Sequence, residues 1–187
     1  VCAWTSPLGN SELWYRFLNI GKPVSAISGT DGWVDFYRTP AMGTGRNYVR
    51  IEDGGTDFSS VREAAASGLG FVTTGPALLF ELEGGIKPGE ITMMGIKKWT
   101  ATLVSAVDVD IVEIIVNGKV VQTHKGVSGG QSKNFKGHVE LPEGGWVAIR
   151  AYSSESPVDV WPSMHKRPFD HSSPIWINKI GSTERMS

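Results

Sequence analysis

Apolar positions recur along this chain with two different periods, and the change from one to the other falls near Pro76. Within residues 11–20, Leu13, Trp14, Phe17 and Leu18 stand at helical spacing, with Asn10 or Ser11 placed to cap the start and Gly21 the end. Pro23 breaks that helix, and Val24–Ser28 reads as a short buried strand that ends at Gly29. Residues 32–47 carry no period and are rich in Gly, Arg and aromatics, which predicts a long ordered loop. A strand over Tyr48–Ile51, a helix over Phe58–Ser67 and a strand over Phe71–Thr73 follow. The helix has Asp57 as its cap or Ser60–Glu63 as a capping box, and Gly68 as its stop.

After Pro76 the runs shorten and become rich in β-branched and aromatic residues. Ala77–Leu82, Thr100–Ala106, Ile111–Val116, Lys119–Thr123, His138–Leu141, Trp146–Tyr152 and Ile175–Asn178 each read as a strand bounded by turn residues. Asn117-Gly118, between two apolar runs, predicts a tight hairpin because a type I′ turn needs two residues that tolerate positive φ. Gly144-Gly145 marks another turn, and residues 126–134 a flexible hairpin loop. The predicted organisation is an α/β segment over residues 1–76, then an antiparallel Ig-like β-sandwich over 77–187 with a polar tail.

Composition narrows the partners. With 187 residues and 40% hydrophobic content the chain can bury a real core, and 18 basic against 19 acidic residues leave a net charge of -1. Nothing in that balance draws the protein to nucleic acid or to an anionic membrane. The one cysteine, Cys2, has no intrachain disulfide partner, and no apolar run reaches the ~18 residues of a membrane span. The N-terminal residues carry no signal-peptide pattern, and a start without Met fits a processed product or an excerpt of a longer protein. Nothing here indicates a compartment.

Candidate chemistry is sparse. Asp31, in the Gly-flanked turn Gly29-Thr30-Asp31-Gly32, is a hard oxygen donor suited to Zn, Mn or Fe. Taken alone it reads better as an Asx-turn aspartate, since a metal site uses three or four protein ligands. His165, Asp170 and His171 form a loose cluster whose spacing matches no metal signature, so structural hydrogen bonds or a place at the surface are the better reading for the four histidines. Ser163 and Ser172 lack the elbow motif of a hydrolase nucleophile. Arg46 follows the glycine-rich Gly43-Thr44-Gly45, and with Arg38 it could bind a substrate anion; pairing with Asp35 or Glu52 is an equal alternative. Of the seven tryptophans, Trp146 and Trp176 lie in apolar runs and read as core, whereas Trp33 and Trp161 sit in predicted loops and suit a binding surface.

The order of several motifs adds to this. Glu12-Leu13-Trp14-Tyr15-Arg16-Phe17-Leu18-Asn19, Ser28-Gly29-Thr30-Asp31, Gly45-Arg46-Asn47-Tyr48-Val49, Gly70-Phe71-Val72-Thr73-Thr74-Gly75-Pro76, Val116-Asn117-Gly118 and His171-Ser172-Ser173-Pro174-Ile175-Trp176, in that order, resemble the C-terminal part of CehA/McbA-type proteins of the PHP (polymerase and histidinol phosphatase) metallohydrolase superfamily. The resemblance implies an α+β fold, with a partial PHP-like α/β barrel segment ahead of the sandwich. It also implies a parent enzyme in which divalent Zn, Mn or Fe activates water against a phosphoester, ester or carbamate.

Carried over residue by residue, the resemblance makes Asp31 the one matching metal ligand; Arg38, Arg46 and His171 stand beside it as the substrate-binding candidates, with no catalytic residue in this chain. The family's His-x-His opening motif has no counterpart here, and Gly32 stands where many members carry a histidine. The expectation is therefore the C-terminal portion of a hydrolase that is not competent alone. It would associate with a missing N-terminal barrel half or a second copy, and the small-molecule substrate would belong to the parent enzyme. The rival expectation is a non-catalytic carbohydrate- or protein-binding β-sandwich module.

Overall fold

The computed structural model describes residues 7–30, 41–51, 54–154 and 167–183. In chain order the elements are α1 (Pro7–Asn19), β1 (Arg46–Val49), α2 (Phe58–Ala66), β2 (Gly70–Thr73), β3 (Ala77–Leu82), β4 (Ile91–Thr92), β5 (Gly95–Ser105), β6 (Val109–Val116), β7 (Lys119–Val127), β8 (Gln131–Leu141), β9 (Gly145–Tyr152), β10 (Phe169–Ser172) and β11 (Ile175–Ile177).

Two sheets face each other. The smaller is three-stranded, in the order β3-β5-β8. The larger is eight-stranded and runs β1-β2-β10-β9-β11-β4, with β6 on the other edge of β9 and β7 on β6. All pairings are antiparallel except the short β11–β4 contact. β10 and β11 lie end to end along one edge of β9, pairing with Arg150–Tyr152 and Gly145–Val147 in turn. The break falls at Ser173-Pro174, where proline has no N–H to continue a ladder.

Alternation in the strands decides which side chains meet. Leu78, Phe80 and Leu82 of β3, Trp99, Ala101 and Leu103 of β5, and Phe135, Val139 and Leu141 of β8 point inward. They pack against Val112, Ile114 and Val116 of β6, Val147, Ile149 and Ala151 of β9, and Ile175 and Ile177 of β11. Each such large side chain contributes about 1.5–3 kcal/mol by leaving water. The large sheet is also covered on its other face, where Tyr15 and Leu18 of α1 pack on Ile115, Trp146, Ala148 and Trp176. This second cover explains the nearly unbroken apolar run of β9, while β5, wet on one face, alternates.

Several local predictions hold. Asn117 and Gly118 take positive φ of 50° and 80° in the β6–β7 turn. Asp57 caps α2 by accepting from the N–H groups of Ser59 and Ser60. The N–H groups of Gly21 and Lys22 donate to the carbonyls of Leu18 and Phe17 at the end of α1.

The PHP-like α/β barrel segment does not form. A (β/α) barrel needs parallel strands joined by covering helices, whereas β1 and β2, which flank α2, pair antiparallel. β2 then pairs with β10, so the early strands extend the large sheet of the sandwich. α1 lies across that sheet as a cover rather than between two parallel strands. Val24–Ser28, read as a strand, joins no ladder: the side chain of Asn47 takes both the N–H and the C=O of Ser28 at 2.7 Å. The chain is thus predominantly β, with α1 and α2 the helices among the described residues.

Candidate functional site

Of the residues singled out from sequence, Asp31, Arg38, Trp33, Trp161 and His165 lie outside the described residues. Arg46 and His171 are described, and the sheet separates them. Register places Arg46 opposite Thr73, and Thr73 opposite Asp170. Because directly opposed residues share a face, Arg46 lies on the sandwich side and His171 on the α1 side. The two do not form one anion site.

His171 belongs to a buried polar network beneath α1. Its Nδ1 lies 2.6 Å from the carbonyl of Ser172, which can only accept, so Nδ1 carries the proton. Its Nε2, 2.5 Å from the Tyr15 hydroxyl, then accepts from Tyr15. The Tyr15 oxygen lies 3.5 Å from Nη1 of Arg150, whose Nε donates to Glu113 at 2.7 Å. The Tyr152 hydroxyl donates to the other Glu113 oxygen at 3.3 Å. Burial holds His171 neutral, with its pKa lowered to about 3, and pushes the Tyr15 hydroxyl up to about 12. A small cavity of about 180 Å³, lined in part by Ser11, Trp14, Ile27 and Val72, touches His171.

These side chains do not fit a divalent metal. Both ring nitrogens of His171 are engaged, Nδ1 with the Ser172 carbonyl and Nε2 with the Tyr15 hydroxyl, so neither offers a lone pair to an ion. Among the described residues no group of three or more His, Cys, Asp or Glu could hold an ion. Together with the antiparallel sheets, this overturns the metallohydrolase reading of the described chain.

A different site arises where the sheets differ in width. β3 is the edge of the narrow sheet, and β1 and β2 extend the wide one at its end. The sandwich-side face of β1–β2 borders a cleft of about 450 Å³, within the ~300–1,000 Å³ range of small-ligand sites. Tyr48 and Phe71, directly opposed on β1 and β2, stack with ring centroids 4.9 Å apart and planes 15° from parallel. Tyr48 keeps 46% of its surface exposed. Leu79, Glu81, Thr100 and Thr102 line the cleft from β3 and β5, and Lys87 lines it as well. Arg50, also in the lining, is ion-paired with Glu90.

Gly70 fixes the platform. A Cβ there would stand 1.8 Å from the carbonyl oxygen of Tyr48, so any other residue would push β1 away from β2. The edge of β3 is nearly spent. In its register with β5, Leu78, Phe80 and Leu82 turn their backbone groups away from the ladder. The Leu78 N–H is taken by Asp170 Oδ2 and the Leu82 N–H by the carbonyl of Ile86, which leaves the backbone groups of Phe80 facing the cleft. Sequence reading passed over this site because its tyrosine and phenylalanine look like ordinary strand residues. The nearest signal was the run Gly70-Phe71, where a small residue precedes an aromatic in a short strand.

No family model and no curated protein matches this chain. Among solved structures it is similar to the crystal structure of the C-terminal domain of wzt, with 12% identity and a TM-score of 0.33, over 84% of this chain and 96% of that one. Likeness at that level carries no inference about ligand or activity, and the β-sandwich assignment rests on strand pairing and core packing.

Proposed function

We propose that this chain is a non-catalytic binding module, a β-sandwich that holds a ligand in the cleft between β1–β2 and β3–β5. One observation carries the reading: a stacked aromatic pair, its Tyr48 half-exposed, lines a cleft whose lining also includes Thr100, Thr102, Glu81, Lys87 and the ion-paired Arg50. Such a mixture of an apolar wall and a few polar groups is the usual make-up of a ligand site. The buried Tyr15–His171–Arg150–Glu113 network supports it indirectly, because it rigidifies the sheet from behind and leaves no free nucleophile or base there.

The test is capture from two libraries, a glycan microarray and a phage-displayed peptide library, by the wild-type chain and by Leu79→Trp. Leu79 is 58% exposed and lines the cleft, so the larger ring fills the cleft without entering the core. Saturable binding that Leu79→Trp loses, with an unchanged melting temperature, is the expected result. Binding that is indifferent to the substitution, or no binding from either library, sinks the proposal.

A further inference from the structure

Resting on the binding-module reading, we infer that the cleft takes an uncharged hexopyranose unit of a glycan. Three features of the cleft select that chemistry over an extended peptide or an anion.

The first is the platform. Tyr48 is stacked on Phe71 and held in register by the close approach at Gly70, so its ring is already fixed before a ligand arrives. A pyranose offers one face of C–H bonds, and a preset aromatic face receives it at little entropic cost.

The second is the supply of main-chain groups. Added strands bind through a succession of alternate residues along one edge. On β3 the outward N–H groups to either side of Phe80 are taken by Asp170 and Ile86, which leaves Phe80 as the single main-chain donor on that edge. On β1 the backbone groups of Val49 point outward, because Arg50 donates inward to Leu69, but the preceding stretch is covered by Ser28, which Asn47 grips. The β3 wall therefore offers a single main-chain donor, too few for the repeated pairing an added strand needs. Sugar hydroxyls, which donate and accept, suit an isolated group of this kind.

The third is charge. Arg50 is bonded to Glu90, and Lys87 and Glu81 both line the cleft with opposite signs. An anionic ligand would meet Glu81 as well as Lys87, and a cationic one the reverse.

Isothermal titration of the full chain with methyl hexopyranosides of differing hydroxyl stereochemistry, with glucuronic acid, and with the best peptide from the phage library tests this. The expected result is binding of a neutral hexoside that is insensitive to salt, retained by Tyr48→Phe and weakened about tenfold or more by Tyr48→Ala. Leu79→Trp, which adds to a side chain already exposed, repeats the loss should Tyr48→Ala fail to fold. Binding of glucuronic acid alone, falling with salt, overturns the inference. Peptide binding lost in Leu79→Trp, with no hexoside binding, overturns it too while leaving the binding module standing. Failure of every probe to respond to the cleft substitutions removes both.

Discussion

Asp170 and His171 are neighbours on β10 that face opposite sides of one sheet, and burial acts on them in opposite directions. Burial raises the Asp170 carboxyl well above its ordinary 3.8, against which the Leu78 N–H and the Thr73 hydroxyl pull only weakly. Its folded-state preference is for the protonated acid, so its contribution is fully present below pH 3.8 and is lost as pH rises through the folded pKa. His171, lowered from 6.5 to about 3, behaves the other way: its contribution is full above pH 6.5 and is lost as pH falls toward 3. In urea titrations across pH, Asp170→Asn should gain on the wild type steadily as pH rises; a gap that stays constant with pH would contradict the buried-acid account. Tyr15→Phe leaves Nε2 of His171 without its donor and should cost about 1–3 kcal/mol in the same measurement. From sequence His171 carried two readings, a histidine with structural hydrogen bonds and a substrate-binding candidate, and the hydrogen bonds are the part the structure displays. The identity of its partner, 156 positions away, was not legible, because only folding brings α1 over β10.

At the scale of elements, α1 is the cover that turns β9 from a half-wet strand into a fully buried one. Leu18, 0% exposed, packs with Trp146 and Trp176, and Leu18→Ala should lower stability by about 2–5 kcal/mol. The end of the helix is tied down by Asn19, which donates to the carbonyl of Asn117 at 3.1 Å and accepts from the Trp146 indole at 2.8 Å. Asn19→Ala should therefore cost about 1–3 kcal/mol and loosen the β6–β7 turn, visible as faster amide exchange at Asn117 and Gly118. Elements with strong local signals were readable: α1 from its period, α2 from its cap, the hairpin from Asn117-Gly118. β10 and the first part of β8 were not. Gln131–Asn134 look like a loop because they are polar, yet each pairs with a β5 residue from Ser105 to Thr102 at a wet face. Val24–Ser28 shows the reverse, an apolar run whose backbone is claimed by the Asn47 side chain before any strand can pair with it.

For the whole molecule, the pairing of β2 with β10 joins residues on either side of Pro76 into one sheet. Unfolding should accordingly be a single cooperative transition, with tryptophan fluorescence and far-ultraviolet circular dichroism superimposing against urea; two separated transitions would show independent units. The candidate cleft is also a property of the whole, because it exists only where an eight-stranded sheet outruns a three-stranded one. Local sequence was enough to place the cap of α2 at Asp57, the end of α1 at Gly21, the tight turn at Asn117-Gly118 and most of the later strands, since these follow from φ preferences and local periodicity; it put the start of α1 at Asn10 or Ser11, whereas the helix begins at Pro7 and contains both. Tertiary structure decided that β1 and β2 run antiparallel, that they extend the sandwich instead of beginning a barrel, and that Tyr48 and Phe71 meet beside a free edge. Those outcomes depend on contacts between residues far apart in the chain, which local spacing does not encode.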